Sequence, residues 1–379
     1  MAELNREAGA AIQLRHRALA ERVVLRQYRI QDQVWNRLDA AGHEKSLRDA
    51  GYHLSYLADA LLVSDLDLFA DYVAWVRDLF AGLGFSHDVL PMTLRCTREA
   101  LAEMLPPHLQ NSACAYIDEG IRLLGAEPAA RPAILHEGMP YYDLARRYLD
   151  ALLGTDRRTA CQMVVDAAAD GVPIRDLYLH VFQPCLREIG QLWHAHEISV
   201  AREHYCTAAA QLAMSQLYPY IVRTPRNGRR LIATCVGDEL HEVGIRMVAD
   251  FFEMDGWDTV YLGANTPAEA ILRGLAESRC DLLAVSTTIT AHIHETADLI
   301  TRVRLSKPGR GIKVIVGGYP FNVSPGLWRQ VEADGYAHDA NEATTVANRL
   351  LAGRDGDSDM KGLESRDRTE GGNGKPLMD

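Results

Sequence analysis

A chain of 379 residues with 47% hydrophobic and 24% charged side chains is ordinary for a globular protein and long enough for two or three domains. Its formal net charge of −11 argues against a nucleic-acid binder, because phosphate recognition needs a basic face. The apolar run Ala58 to Val63 is too short to span a bilayer and the N-terminus has no apolar signal core, so a cytoplasmic protein without membrane association is expected. Seven cysteines, at positions 96, 114, 161, 185, 206, 235 and 280, include no Cys-x-x-Cys pair; they read as reduced thiols and support no zinc site.

In chain order, residues 1–126 form an N-terminal domain that reads as helical from about residue 10. Leu14, Ala18, Val23 or Val24, Ile30 and Val34 recur at near-helical spacing. Helices are predicted at Ser46 to Val63 and Asp65 to Gly82, with Ser64 and Asp65 both good N-caps. Pro91 and Pro106-Pro107 then place two more at Met92 to Met104 and His108 to Leu124. Nothing here alternates with period two, which excludes a strand-containing winged-helix DNA-binding domain. Residues 127–140, with Pro128, Pro132 and Pro140, read as a linker.

A second helical block, residues 141–224, is cut at Gly154-Thr155, at Asp170 to Pro173 and at His196-Glu197 into four helices, the count of a small bundle. From Arg229 the pattern changes to alternating strand and helix. Apolar runs at Leu231 to Val236, Thr259 to Leu262, Leu282 to Ser286 and Lys313 to Val316, with a short fifth at Gly335 to Ala337, predict a doubly wound parallel sheet of flavodoxin-like size over residues 229–353. The fold class is therefore α/β plus all-α. Residues 354–379, rich in Asp, Gly, Ser and Arg, read as disordered.

Ligands of such a sheet lie at the carboxyl ends of its strands, where His241, Gly263, Ser286 and Gly317 all fall. The first loop reads Glu239-Leu240-His241-Glu242-Val243-Gly244. An acid two residues before a histidine can fix its tautomer and make the other ring nitrogen a better metal ligand, and Gly244 leaves room beside the helix start. Gly244 is followed by 41 residues before Ser286-Thr287-Thr288, and 28 more separate these from Gly317-Gly318. Singly, each element has a plain reading: a solvated histidine, a strand end satisfying its own backbone, an ordinary βα turn. In this order and spacing they resemble the cobalamin-binding domain of methionine synthase, the corrinoid mutases and their sensor relatives. Glu239 stands where Asp is commoner, and Thr288 where many members have Leu.

That resemblance implies a cobalamin whose nucleotide base has swung away from cobalt. His241 would be the lower axial cobalt ligand, with Glu239, Leu240, Val243, Gly244 and Gly263 around it. Ser286 and Thr288 would hydrogen-bond the buried base, and Gly317 and Gly318 would let the backbone approach the nucleotide arm. In the bundle, Trp193 is followed after nine residues by Glu203-His204. This resembles the Trp-x9-Glu-His pattern of the light-sensing cobalamin proteins typified by CarH, in which a helical bundle caps the upper corrin face. Trp193 would pack on an adenosyl group, Val200, Glu203 and His204 would line the same pocket, and His194 would ligate cobalt after light breaks the Co–C bond. The plainer alternative is that Trp193 is core packing and Glu203-His204 a solvated helix face.

The resemblance spans about residues 150–350 and does not reach the N-terminal domain, so repression by direct DNA contact is not carried over. In layout the chain resembles the photocobilins, whose helical N-terminal domain holds a bilin. Biliverdin contacts would come from Tyr52, His53, Tyr56, His87, Asp88 and Arg95, with Cys96 or Cys114 available to attach it, although helix surface or packing is the plainer role for each. The expected protein is an adenosylcobalamin photoreceptor, not an enzyme, which self-associates in a light-dependent way and signals to a partner that the sequence does not identify. The alternative is a corrinoid carrier for a methyltransferase or mutase, whose substrate barrel of roughly 250 residues would have to be a separate subunit.

Overall fold

The computed structural model describes residues 1–30, 40–126 and 133–352. Val34, Pro128, Pro132 and the segment 354–379 lie outside the described residues. Among the described residues the N-terminal part has six helices: Ala2–Leu14, His16–Ile30, Ala40–Leu62, Leu66–Gly82, Val89–Met104 and Pro107–Leu124. Asp65 is the cap at the fourth, its carboxylate accepting from the Asp67 N–H at 3.1 Å, while Ser64 takes the left-handed turn before it. The fifth begins at Val89, three residues earlier than the prolines suggest, because Pro91 sits in its first turn, where an N–H has no intrahelical partner to lose. Gly9 lets the first and third helices approach closely, for a Cβ there would lie 2.7 Å from the Ala58 carbonyl oxygen.

The bundle consists of Tyr142–Leu153, Arg157–Ala169, a continuous run Ile174–Leu177, Tyr178–Phe182 and Gln183–His194, and Val200–Gln216. Asp156 and Ser199 cap the second and fourth helices by accepting from the Thr159 and Arg202 amides. Tyr178–Phe182 is a π turn ending two residues before Pro184, which has no N–H to give to a regular ladder. Tyr148 and Tyr178 each meet the Phe182 ring edge-on at 5.4 Å in the bundle core.

Five strands, β1 (Arg230–Cys235), β2 (Asp258–Gly263), β3 (Leu282–Ser286), β4 (Lys313–Gly317) and β5 (Gly335–Tyr336), form one parallel sheet in the order β2-β1-β3-β4-β5. This is the flavodoxin-like arrangement. Its central strand β3 is buried along its whole length, as an uninterrupted apolar run requires when helices cover both faces. Helices Val243–Met254 and 340–352 pack on one face around Phe252, Trp257, Ala343 and Ala347, and Ala268–Ser278 and Ile293–Leu305 on the other. The chain leaves β1 for β2 on one side and returns to β3 on the other, which opens a crevice between the carboxyl ends of β1 and β3. Register puts Cys235 beside Ser286 and Ser286 beside Gly317, so the last residues of three strands form one row along that crevice. No helix among the described residues is long and apolar enough to cross a membrane.

The bundle meets the sheet domain along Val243–Met254. Arg175 pairs with Asp255 at 2.5 Å and lays its guanidinium over the Phe251 ring, and Tyr178 donates to Asp250 Oδ2 at 2.6 Å. Burial pushes the Asp250 carboxyl up to about 6, against the opposing hydrogen bond from Tyr178. The folded state therefore holds this proton more tightly than the unfolded chain; the cost of ionising Asp250 is absent below about pH 4 and grows as pH rises towards 6. Asp250→Asn keeps an acceptor for Tyr178 and removes that cost. Urea unfolding should show it about 1–2 kcal/mol more stable than the parent near pH 7, with the gain gone near pH 4.

Candidate functional site

The loop after β1 is built on Glu239, whose side chain is 0% exposed. Its Oε1 accepts the His241 backbone N–H at 3.0 Å and the His241 Nδ1–H at 2.6 Å. Its Oε2 accepts the amides of Thr288 and Ile289, both at 2.8 Å, and faces His292 Nδ1 at 3.3 Å. Burial alone would raise this carboxyl, but the hydrogen bonds from His241, His292 and the backbone outweigh it and hold Glu239 well below the usual carboxylate range. Because an ionised carboxylate only accepts, Nδ1 of His241 carries the proton and the free lone pair belongs to Nε2. The same hydrogen bond raises the His241 pKa. The imidazole is 57% exposed, so it is held by one nitrogen and open at the other.

From His241 a cavity of about 380 Å³ runs down beside the sheet, past Val243 and Gly244, along Ala284 to Ser286 and Ile315 to Gly318, with Tyr178, Gln183 and Leu186 of the bundle closing its outer side. Thr288 also lines it. Gly244 has nothing within 4 Å of where a Cβ would stand, whereas Gly318, at φ 106°, would place one 2.0 Å from the Thr287 carbonyl oxygen. Gly317 would place one 2.9 Å from the Ala337 oxygen. The structure thus brings His241, Val243, Gly244, Ser286, Thr288, Gly317 and Gly318 to one cavity. Leu240 stands apart, 69% exposed, and Gly263 makes room instead for the Glu242 carboxylate.

On the bundle side, Glu203 bonds His204 and accepts from Thr207 at 2.8 Å, and Gln211 of the same helix reaches Glu242, so the bundle helix and the β1 loop face each other. Trp193 is half-buried, while Val200 and His204 are exposed. His194, expected to ligate cobalt only once light has broken the Co–C bond, faces away from this pocket. It is 6% exposed and turned to the N-terminal part, stacked on the Trp75 ring at 4.8 Å with Nε2 2.9 Å from the Trp75 carbonyl oxygen.

Two site residues escaped the sequence reading. Glu242 accepts from the Tyr261 hydroxyl at 2.9 Å and from Gln211 of the bundle at 3.3 Å, joining the two domains one residue after His241. Its only signal was that adjacency. His292 has none, since only the fold brings it to Glu239. The bilin candidates divide. His53 is buried, bonded to the Tyr72 hydroxyl at 2.8 Å and pushed down to about 4 by burial, and Tyr56 stacks on Tyr72 at 3.8 Å. Cys96 and Cys114 are buried, and burial pushes both thiols up, Cys96 to about 11, so neither is presented for attachment as expected. Tyr52, His87, Asp88 and Arg95 are exposed.

Residues 229–345 match a model of the B12 binding domain, and residues 144–218 match a second B12 binding domain model. The HTH-type transcriptional repressor CarH of Myxococcus xanthus is 27% identical over 196 residues, covering 52% of this chain and 64% of that protein. This chain therefore spans less than two thirds of that relative's length. Monomethylamine corrinoid protein 1 of Methanosarcina acetivorans is 26% identical over 206 residues, covering 52% of this chain and 94% of the relative. The solved Methanosarcina barkeri monomethylamine corrinoid protein shares the fold, with a TM-score of 0.50 at 24% identity over 56% of this chain and 100% of that one.

Two glycine replacements separate fold from cavity. Gly318→Ala should lose more than about 1 kcal/mol in urea unfolding of the cofactor-free chain, from the positive φ and the clash with Thr287. Gly244→Ala, in open space at a helix start, should be neutral or stabilising by up to about 1 kcal/mol.

Proposed function

Because the chain is a CarH-like cobalamin-binding protein, we propose that it is a light sensor that takes up adenosylcobalamin between the bundle and the sheet domain, with His241 as the lower axial cobalt ligand. The observation carrying this reading is the pairing of His241 with the buried Glu239 at the mouth of a cavity that continues to Gly317-Gly318. The residues present suit the group. A soft-to-borderline nitrogen donor is offered with its tautomer set by a carboxylate, a mostly apolar slot leads away from it, and two backbone positions bare of side chain line its lower end. The bound cofactor supplies a metal–carbon bond that visible light can break.

Around that group the chain's own residues divide the work. Glu239 orients the imidazole, and Ser286 and Thr288 offer hydroxyls to the buried end of the ligand. Trp193 gives the upper face an apolar wall, with Glu203 as an acceptor for sugar hydroxyls and Val200 and His204 at the rim. The cap's hold on the sheet domain then depends on what fills the upper face, because a ligand shifts an equilibrium only through its differential affinity for the two states. The N-terminal helices touch both partners and carry the change onward, to altered self-association or a downstream protein. Biliverdin would add to this reading by non-covalent contact with Tyr52, His87, Asp88 and Arg95.

A corrinoid carrier of a methyltransferase system is the second reading. What favours it is that the matched part of this chain accounts for 94% of a monomethylamine corrinoid protein.

Absorption spectra of the protein loaded with adenosylcobalamin in the dark should change on green illumination; an unchanged spectrum removes the sensor reading and leaves the carrier. Trp193→Ala should weaken adenosylcobalamin while sparing hydroxocobalamin. Glu239→Gln should bind either form about 10- to 100-fold more weakly, the range for loss of a ligand's orienting partner. His241→Ala should lose the spectrum of an imidazole-bound cobalt, and parent-like binding and spectrum in that variant would overturn the assignment of the ligand.

A further inference from the structure

The carboxylate that holds His241 is itself held by one short stretch of chain. Thr288 and Ile289 give it two amides, and His292, at the end of the 3₁₀ turn Thr290–His292, gives it an imidazole nitrogen. Two residues on, at the start of the helix Ile293–Leu305, His294 Nδ1 lies 2.8 Å from Oδ1 of Asp59, which belongs to the N-terminal helix Ala40–Leu62. Asp59 is 1% exposed and His294 42%. A carboxylate buried in an apolar helical core is costly unless its partner is well placed, so this pair fixes the position of the turn as well as joining two domains. Burial pushes the Asp59 carboxyl up and the His294 hydrogen bond opposes it; the same contact raises His294. On the other flank of the cavity Tyr319, next to Gly318, donates to Asp71 Oδ1 at 2.9 Å, and Ser324 bonds Asp65.

We propose that Asp59 is a positioning residue for His241: through His294 it anchors the 288–294 turn, and the turn keeps Glu239 in place to orient the imidazole. Without Asp59 the turn loses its outer tether, the two amides and His292 drift from Glu239, and the hold on His241 Nδ1 slackens. Coupling of this kind is reciprocal, so metal ligation at His241 tightens the docking of the N-terminal helices by the same factor. The inference rests on the reading of His241 as the cobalt ligand.

The test uses the full chain and cob(II)alamin, whose electron spin resonance lines are split by an axial nitrogen. Asp59→Ala should bind cob(II)alamin about 5- to 20-fold more weakly, with a reduced nitrogen-split fraction. Asp59→Asn, which keeps an acceptor for His294, should recover most of both. In the cofactor-free protein the amides of 288–294 should exchange hydrogen faster in Asp59→Ala than in the parent. His294→Gln changes a partly exposed side chain, keeps the fold if Asp59→Ala does not, and should reproduce the weakening. Parent-like affinity, splitting and exchange in these variants, while His241→Ala loses the splitting, overturns the positioning role alone. Splitting retained in His241→Ala overturns the ligand reading instead.

Discussion

The site is organised by one ionised carboxylate buried out of water. Glu239 has 0% exposure and accepts from two backbone amides of the next strand's loop, one of its own loop and two imidazoles. A charge in that position is tolerable only because its acceptor capacity is so fully used. Three of those five donors come from the loop after β3, so satisfying the charge also closes the β1 loop against the β3 loop across the switch point. The same geometry leaves His241 held on one side and bare on the other. Orientation of the imidazole and closure of the crevice's inner wall are therefore one interaction. Here the longer Glu arm acts as a bridge, reaching the Thr288 and Ile289 amides as well as its own histidine.

The cavity below depends on a different constraint, backbone approach. In the row Cys235, Ser286, Gly317 the strand ends step across the sheet, and the residue after that row, Gly318, adopts a φ of 106° with the Thr287 carbonyl where a side chain would be. Any side chain there would push the β4 loop off the β3 loop. Gly244 contributes in the opposite manner, by presenting nothing on the open side of the helix start. The bundle supplies the outer wall through Tyr178, Gln183 and Leu186, and its grip on Val243–Met254 includes the part-buried Asp250–Tyr178 hydrogen bond. A tighter apolar pair would hold the two domains more firmly. The ionisable one makes their association depend on pH.

Much of the architecture was legible because it follows local periodicity. Leu282 to Ser286 reads as a buried strand and is one, with the same ends, and the bundle's four helices break at the Gly-Thr, Asp-Gly-Val-Pro and His-Glu positions. Helix starts were less legible: Pro91 looks like a boundary but occupies the first turn. The loop histidine could be found because its acid lies two residues away. What could not be read depends on contacts far apart in sequence. His194 turns to Trp75 across 119 positions, His292 reaches Glu239 across 53, and Cys96 and Cys114 are buried in the N-terminal core. Each is a property of packing, which a single helix's pattern does not encode.

The N-terminal part shares one hydrophobic core with the sheet domain, running from Leu57, Leu61 and Phe69 to Ile293, Val316 and Phe321, and polar contacts are added along its edge. Two helices, Ala40–Leu62 and Leu66–Gly82 with its cap, provide Asp59, Asp65, Asp71 and Trp75 against His294, Ser324, Tyr319 and His194. Hydrogen bonds of this sort contribute about 1 kcal/mol each, so any one of them can be exchanged for water while the shared core stays packed. His194 shows the consequence most directly. Its Nε2 is occupied by the Trp75 carbonyl and its ring by the indole, so turning it to any other partner gives up both contacts. Any group that recruits His194 must compensate for both, and frees this edge of the N-terminal helices in doing so. The two contacts tie the end of the bundle's third helix to the N-terminal part, so a displacement of His194 is felt across a domain boundary.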